Sequence, residues 1–128
     1  MHWLTEKGWE YRDLGCYTEE SCDYPVYGRA VAKAVTQGDC DFGIVICGTG
    51  IGISLAANKV PGIRAALCTD CFMAEASRQH NDANILALGG RVLGTGLALK
   101  IVETFLQTPF SGDERHVRRI RGIEELGN

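Results

Sequence analysis

The feature that most restricts how this chain can fold is a short apolar run that ends in a glycine-rich turn. Residues 42–46 (FGIVI) are followed directly by Cys47-Gly-Thr-Gly-Ile-Gly52. A continuous apolar run of this length is typical of a strand buried on both faces of a parallel sheet. Glycines allow the chain to turn sharply after such a strand. We therefore expect a buried strand, a tight turn and then a helix over residues 53–58.

Strand and helix patterns alternate along the rest of the chain, with short connections and no internal repeat. Asp23 is a suitable N-cap for a helix that begins near Tyr24 and ends at Gly38, with an apolar stripe at helical spacing. The members of that stripe are Val26, Tyr27, Ala30, Val31, Ala34 and Val35. The other predicted strands are residues 9–14, 63–67 and 85–88, and the other predicted helices are residues 1–7, 72–79, 95–108 and 114–126.

This alternation predicts an α/β fold: a Rossmann-like parallel sheet with helices on both faces. A length of 128 residues fits one domain, residues 1–128. The chain opens inside a predicted helix, with no strand before it to start the alternation. We therefore expect the first strand to be missing from this chain, together with the start of its helix, about 20 residues in all. The domain is thus expected to be N-terminally truncated.

Composition excludes several classes of protein. With 45% hydrophobic and 23% charged residues and a net charge of -3, the chain is not expected to be a general binder of nucleic acid, because such proteins are normally basic. No apolar run approaches the ~20 residues that span a bilayer, so no membrane contact is expected. The chain contains six cysteines, which we expect to be reduced thiols in a cytoplasmic protein, since regular elements can build a core without disulfides.

Cys68 and Cys71 form a C-x-x-C pair that could suggest a zinc or redox site. A structural zinc site needs a second pair at matching spacing, and Cys16 and Cys22 do not supply one. The pair is therefore expected to be structural, and zinc binding or redox chemistry is the weakest of the functional hypotheses.

The glycine-rich turn itself is the first candidate site. It lacks the spacing of a dinucleotide-binding fingerprint and the Gly-Lys-Ser/Thr of a Walker loop. Glycines at these positions let consecutive backbone N–H groups face one point and hold an anion, or an oxyanion that develops during a reaction. Cys47 stands where the strand ends, and a helix N-terminus favours the thiolate form of a cysteine. The alternative is a small buried hydrophobic residue, which most free cysteines are.

Other candidate residues lie near the ends of later elements. His80 lies between a helix and a loop crowded with polar residues, from which it can project into a cleft. Arg91 follows a strand after two glycines. Arg115 and Arg119 are four residues apart on one helical face and could bind a phosphate, although a solvated basic face is an equally good interpretation.

Four motifs together resemble the B-type ribose-5-phosphate isomerases and the related galactose-6-phosphate isomerase subunits. They recur in the family's order and cover nearly the whole chain. They are Cys-Gly-Thr-Gly-Ile-Gly-x-x-x-x-Ala-Asn-Lys from Cys47, Gly-Ile-Arg-Ala from Gly62, Ser-Arg-x-His-Asn-Asp-Ala-Asn-x-Leu-Ala-x-Gly from Ser77, and Arg-His-x-x-Arg from Arg115.

The resemblance implies an aldose–ketose isomerase that works through a cis-enediolate and needs no metal or cofactor. It implies that Cys47 is the base, that Thr49 assists proton movement and that His80 opens the furanose ring. It also implies a homodimer or homotetramer whose sites are shared between subunits, the tail arginines serving a neighbour's site. The implied substrate contacts are the backbone of Gly48, Gly50, Ile51 and Gly52, with Asn81 and Tyr24, and the implied phosphate ligands are Arg91, Arg115 and Arg119.

The family pattern begins with a strand ending in Asp-His, and this sequence lacks both residues. Two hypotheses follow. The chain is an active isomerase of a phosphorylated sugar, with ribose 5-phosphate the expected substrate, or it is a non-catalytic chain that binds a sugar phosphate or a partner without turnover.

Overall fold

The computed structural model describes residues 2–15 and 23–126, and a parallel sheet lies at their centre. The strands lie in the order β1-β3-β2, and both pairings are parallel. The strands are β1 (Gly43–Cys47), β2 (Ala65–Leu67) and β3 (Ile85–Gly89). The helices are α1 (His2–Glu6), α2 (Tyr24–Thr36), α3 (Ile51–Asn58), α4 (Cys71–Gln79), α5 (Thr95–Gln107) and α6 (Glu114–Leu126).

The central strand β3 explains why the sheet strands are continuously apolar. All five of its residues are buried. Leu86 and Leu88 belong to a core cluster with residues of α4 and α5, whereas Ile85 and Ala87 belong to a second cluster with residues of α2 and α3. Because successive side chains of a strand point to opposite faces, helices cover the sheet on both sides. The predicted α/β fold class is confirmed.

Helix α2 begins at the predicted residue and ends at Thr36, just before the predicted end at Gly38, but its buried face differs. Val26 is 64% exposed, whereas Ala32 is fully buried. A Cβ on Gly28 would lie 3.1 Å from Cγ1 of Ile53, so α2 approaches α3 through its small residues. Close contact between two helices requires small side chains. The predicted apolar stripe is therefore wrong at Val26, in the first turn of α2. Asp23 occupies the N-cap position, but its side chain makes no capping hydrogen bond.

Residues 9–14 do not form the predicted strand. They are irregular, and most of them are exposed, with Tyr11 at 47%. A strand exists only where a neighbour pairs with its backbone, and none of the described strands pairs with this segment. Residues 16–22, which include Cys16 and Cys22, lie outside the described residues.

Strand β2 begins at Ala65, later than predicted, and side-chain amides bind the backbone at its start. Oδ1 of Asn84 accepts the N–H of Arg64 at 2.8 Å, and the amide of Asn58 pairs with both the N–H and the carbonyl of Ala65 at 2.7 and 3.1 Å. The side chain of Asn58 thus takes the place of a neighbouring strand. Among the described residues, no helix is long and apolar enough to cross a membrane.

Candidate active site

Cys47 ends β1 and lies at the carboxyl edge of the sheet, paired with Gly89 of β3. The backbone N–H of Gly50 donates a hydrogen bond to Sγ of Cys47 at 3.2 Å. Gly50 has φ +82°, and a Cβ there would lie 2.5 Å from Cδ1 of Leu67. Only glycine combines that conformation with so little space. The turn therefore folds around the sulfur and is pressed onto the sheet edge.

The turn also crosses the end of β3. A Cβ on Gly89 would lie 2.7 Å from the carbonyl oxygen of Thr49, so the two backbones are in direct contact. Oγ1 of Thr49 accepts the N–H of Ile51 at 3.2 Å. Two N–H groups of the turn, those of Gly50 and Ile51, thus point at polar atoms of its own side chains. The sequence predicted that such groups would converge on an anion.

Tyr24 and Arg91 come from other elements to the same turn. A Cβ on Gly52 would lie 2.5 Å from the ring of Tyr24, which begins α2. The N–H of Arg91 donates to the carbonyl of Gly48 at 3.0 Å. The Arg91 side chain lies against Gly48 and is exposed. These residues form the carboxyl-edge cluster, which comprises Tyr24, Cys47, Gly48, Thr49, Gly50, Ile51, Gly52 and Arg91.

His80 and Asn81 lie at the opposite edge of the sheet. His80 is the C-cap of α4, which runs antiparallel to the strands. In the loop that follows, the carbonyl of Asn84 accepts the N–H of Gly43, the first residue of β1. A five-residue strand measures about 13 Å from its first to its last Cα. Within one chain, His80 and Cys47 therefore lie at opposite edges of the sheet, and the catalytic role of His80 stays a prediction.

Two arginines hold the loop that carries Asn81. Nε of Arg64 donates to the carbonyls of Asn81 and Asp82 at 3.0 and 3.2 Å. Nη1 of Arg78, which is buried, donates to Oδ1 of Asp82 at 2.8 Å. Asp82 has φ +45°, an unusual conformation for a residue other than glycine. The two guanidinium groups thus stabilise a strained loop next to His80.

His116 completes this second group, and sequence reasoning did not select it. Its ring stacks on that of His80 with centroids 4.5 Å apart and an interplanar angle of 33°. It is buried, and Nδ1 contacts Oγ of Ser111 at 2.8 Å. The only signal in the sequence was its place in Arg-His-x-x-Arg. Arg115 and Arg119 are exposed on the same helix, α6. The amino-edge cluster comprises His80, Asn81, Arg115, His116 and Arg119.

Burial lowers the pKa of His116, and electrostatic interactions with His80, Arg115 and Arg119 lower it further. The carboxylate of Asp113 acts in the opposite direction and does not outweigh them. The ring is therefore mostly neutral near pH 7, and one of its nitrogens is free of a proton.

The C-x-x-C pair belongs to the core. Cys68 is 1% exposed, and burial raises its pKa to about 11. Cys71 packs against the same hydrophobic cluster. Both thiols are free, as are those of Cys40 and Cys47. In the part of the chain that the structure describes, no group of three or more His, Cys, Asp and Glu residues could hold a metal ion.

Comparison with known proteins identifies the family to which the chain belongs. The model of the ribose/galactose isomerase family matches residues 1–123. Ribose-5-phosphate isomerase B of Escherichia coli K12 is 50% identical over 123 residues, which cover 96% of this chain and 82% of that protein. The galactose-6-phosphate isomerase subunit LacB of Clostridium acetobutylicum is 41% identical over 124 residues, covering 97% of this chain and 72% of that one.

Solved structures of proteins in this family are also similar to this chain. That of ribose-5-phosphate isomerase B from Clostridium thermocellum superposes with a TM-score of 0.95 at 58% identity, covering 98% of this chain and 84% of that one. The chain is thus an enzyme of the isomerase class. It belongs to the ribose/galactose isomerase family, and the resemblance seen in the sequence motifs is confirmed.

Proposed function

We propose that this protein interconverts a phosphorylated aldose and ketose, with ribose 5-phosphate and ribulose 5-phosphate as the preferred pair, in the cytoplasm. The observation that carries the proposal is the position of the Cys47 sulfur, enclosed by the glycine-rich turn at the carboxyl edge of a parallel sheet. In open α/β sheets ligands bind at that edge. Relatives that share half of the sequence bear the name ribose-5-phosphate isomerase B.

Cys47 is the proposed base. Its thiolate removes the proton from C2 of the aldose, and the electron pair of the C–H bond forms the double bond of a cis-enediolate. The same proton returns to C1, and the carbonyl reforms at C2. The N–H of Gly50 lies 3.2 Å from the sulfur, so an enediolate oxygen beside the sulfur comes within reach of the backbone donors from Gly48 to Gly52. Thr49, whose hydroxyl lies in the same turn, assists proton movement between the two oxygens.

The complete site combines two copies of the chain. The carboxyl-edge cluster holds the proposed base, and the amino-edge cluster holds the imidazole and two arginines, but the sheet separates the clusters within one chain. A second copy that places its amino-edge cluster over the first copy's carboxyl edge brings them together. We therefore propose a homodimer, or a homotetramer built from such dimers.

In this shared site the partner's His80 opens the furanose ring and its Asn81 contacts the sugar. The phosphate binds between Arg91 of one copy and the pair Arg115 and Arg119 of the other. Arginine suits this role because its planar guanidinium forms paired hydrogen bonds with phosphate oxygens. All three side chains are exposed and available to a ligand.

Replacing the proposed base is the direct test. We expect Cys47→Ala to lower turnover of ribose 5-phosphate by at least ~10²-fold, because a general base contributes that much or more. Cys40→Ala is the matched control, since it removes a partly buried free thiol outside both clusters. Turnover of Cys47→Ala within a few-fold of the parent protein rules out the proposed role.

Mixing two inactive variants tests the shared site. If Cys47→Ala and His80→Ala chains are unfolded together and refolded, a mixed dimer has one site with both groups intact. Random pairing makes half of the dimers mixed, so about one quarter of the parent activity returns. A mixture that stays inactive while forming dimers excludes a site built from two copies.

The alternative is a chain that binds the sugar phosphate without turning it over, which the separation of the two clusters within one chain would also produce. It predicts that ribose 5-phosphate protects the protein against thermal unfolding while the Cys47→Ala and parent proteins are equally inactive. Turnover by the parent protein that depends on Cys47 excludes this alternative.

A further inference from the structure

We infer that His116, held by Ser111, is a positioning residue that fixes the imidazole of His80 for opening the sugar ring. The inference rests on the proposed function, in which His80 carries out that step. It assigns a role to a buried histidine that lies 36 positions from His80 in the sequence.

The contact between the two rings is the first observation. His80 is exposed at the end of α4, where few neighbours restrict an imidazole. The ring of His116 lies against it with a centroid separation of 4.5 Å, within the range of stacked aromatic rings. His116 is 7% exposed and therefore itself has little freedom. The buried ring of His116 thus provides a fixed surface for the exposed ring of His80.

Ser111 is the second observation, because it fixes the position of His116. Its Oγ lies 2.8 Å from Nδ1 of His116 and also accepts the N–H of Asp113 at 3.2 Å. The N–H of Ser111 donates to the carbonyl of Gln79, the residue before His80. Ser111 therefore ties the start of α6 to the end of α4, and the two rings are held by the same short segment.

Burial and charge together keep the ring of His116 neutral. Burial lowers its pKa most, and the charged or titratable groups that act on it are His80 at the end of α4, Arg115 and Arg119 from α6, and Asp113 before α6. The single carboxylate raises the pKa and does not outweigh the other effects. The exposed ring of His80 therefore rests on an uncharged ring.

The two directions of the reaction separate positioning of His80 from a general structural role. The aldose pentose 5-phosphate is mostly a furanose and must be opened before Cys47 can act. The ketose cannot form a furanose, because its 5-oxygen carries the phosphate, and the open-chain aldose released from it closes in solution unaided. Because the equilibrium constant fixes the ratio of kcat/KM in the two directions, loss of ring opening alone shows only at high enzyme concentration. Aldose conversion is then limited by spontaneous ring opening in solution, whereas ketose consumption keeps rising with enzyme concentration.

Three variants test the inference in the full-length protein, each assayed with ribose 5-phosphate and with ribulose 5-phosphate. At an enzyme concentration high enough for spontaneous ring opening to become limiting, we expect His116→Ala to lower aldose turnover by about 10- to 100-fold, as misplacement of a catalytic group does, and ketose consumption by less than about 3-fold. His116→Phe retains a stacking ring and recovers most of the aldose turnover. His116→Asn retains a hydrogen-bonding group near Ser111 without the ring and does not recover it.

Equal losses in both directions, or aldose turnover of His116→Ala within about 3-fold of the parent, overturn the inference. If His116→Ala does not fold, the comparison of the Phe and Asn variants decides: equal aldose turnover in these two also overturns it. His80→Ala is the reference. If that variant converts the aldose normally, the proposed role of His80 is wrong, which is distinct from a failure of His116 to position it.

Discussion

The ring of Tyr24 occupies the space that a Cβ on Gly52 would need. Cζ and Oη both lie 2.5 Å from that position. The first turn of α2 and the first turn of α3 are therefore in direct contact, and a residue 23 positions before Cys47 in the sequence reaches the glycine-rich turn. The absence of a side chain at Gly52 is what admits the tyrosine.

Gly52→Ala is predicted to displace Tyr24 and lower activity more than stability. Tyr24 is 43% exposed and can rotate away from the added methyl group. We expect kcat/KM to fall by about 10-fold and the free energy of unfolding to change by less than about 1 kcal/mol. A double-mutant cycle with Tyr24→Phe and Tyr24→Ala measures the coupling between the two positions. Once Tyr24→Ala has removed the ring, Gly52→Ala should lower kcat/KM little further. If the losses in kcat/KM of the single variants were additive in the double variant, displacement of Tyr24 would not be their cause.

Gly50→Ala provides the contrast. Its Cβ would meet the backbone carbonyl carbon of Leu88 at 2.9 Å, and its φ is +82°. The backbone cannot move aside as a tyrosine ring can, so we expect a loss of about 2 kcal/mol or more in stability. Urea unfolding of both alanine variants measures the difference.

Arg91→Ala is predicted to weaken substrate binding. The side chain lies along Gly48 at the edge that carries Cys47, and a hydrogen bond to a charged group contributes about 1.5–3 kcal/mol. We therefore expect KM to rise by about 10- to 100-fold with a smaller change in kcat, and inhibition by inorganic phosphate to weaken in parallel. Lys100→Ala, which removes one exposed positive charge from α5, is the matched control. A fall in kcat at unchanged KM would contradict phosphate binding.

The sequence alone was sufficient to predict the alternation of strands and helices, because buried strands and helix caps can be recognised from local sequence patterns. It was insufficient for the buried face of α2, since apolar periodicity selects large residues whereas the contact with α3 selects Gly28 and Ala32. It was also insufficient for residues 9–14, because a strand depends on a neighbour that local sequence does not specify.

The candidate site was predictable in part for a similar reason. The turn around Cys47 is local, so its glycines indicated a site directly. The stack of His80 on His116 joins two distant segments, and no local pattern marks it. The chain reverses direction after β2, so α4 runs back towards the amino edge of the sheet. This direction places His80, at the end of α4, at that edge. The roles of these residues in catalysis stay predictions.

The buried thiol of Cys68 is predicted to make stability depend on alkaline pH. Burial raises its pKa from 9.0 to about 11, and the nearby carboxylate of Asp70 raises it as well. The unfolded chain therefore releases the thiol proton at lower pH than the folded chain does. The stabilisation is fully present below about pH 9 and is lost as pH rises from 9 to 11.

Urea unfolding of the parent protein and of Cys68→Ala across that pH window isolates this contribution. The variant should start less stable because it leaves a small cavity, and its free energy of unfolding should fall less steeply between pH 9 and 11. Identical slopes for the two proteins would show that another group causes the loss.

Arg78→Lys is predicted to be destabilising although it preserves the charge. The guanidinium of Arg78 donates to the carbonyls of Thr108 and Ala83 at 3.1 and 2.6 Å and to Asp82 at 2.8 Å. It also lies 4.8 Å from the ring centroid of Phe42. An ammonium group cannot satisfy acceptors arranged for a planar fork, and it stacks less well on an aromatic ring.

At least one buried carbonyl should therefore lose its donor in Arg78→Lys, which costs about 1–3 kcal/mol. Because Asp82 follows His80 and Asn81 in the same loop, we also expect hydrogen exchange of the amides in residues 80–84 to become faster. Urea unfolding and hydrogen exchange measure the two effects, with Arg29→Lys on the exposed side of α2 as the control for the substitution itself. Stability within about 0.5 kcal/mol of the parent would mean that the charge of Arg78, rather than the geometry of its donors, holds this loop in place.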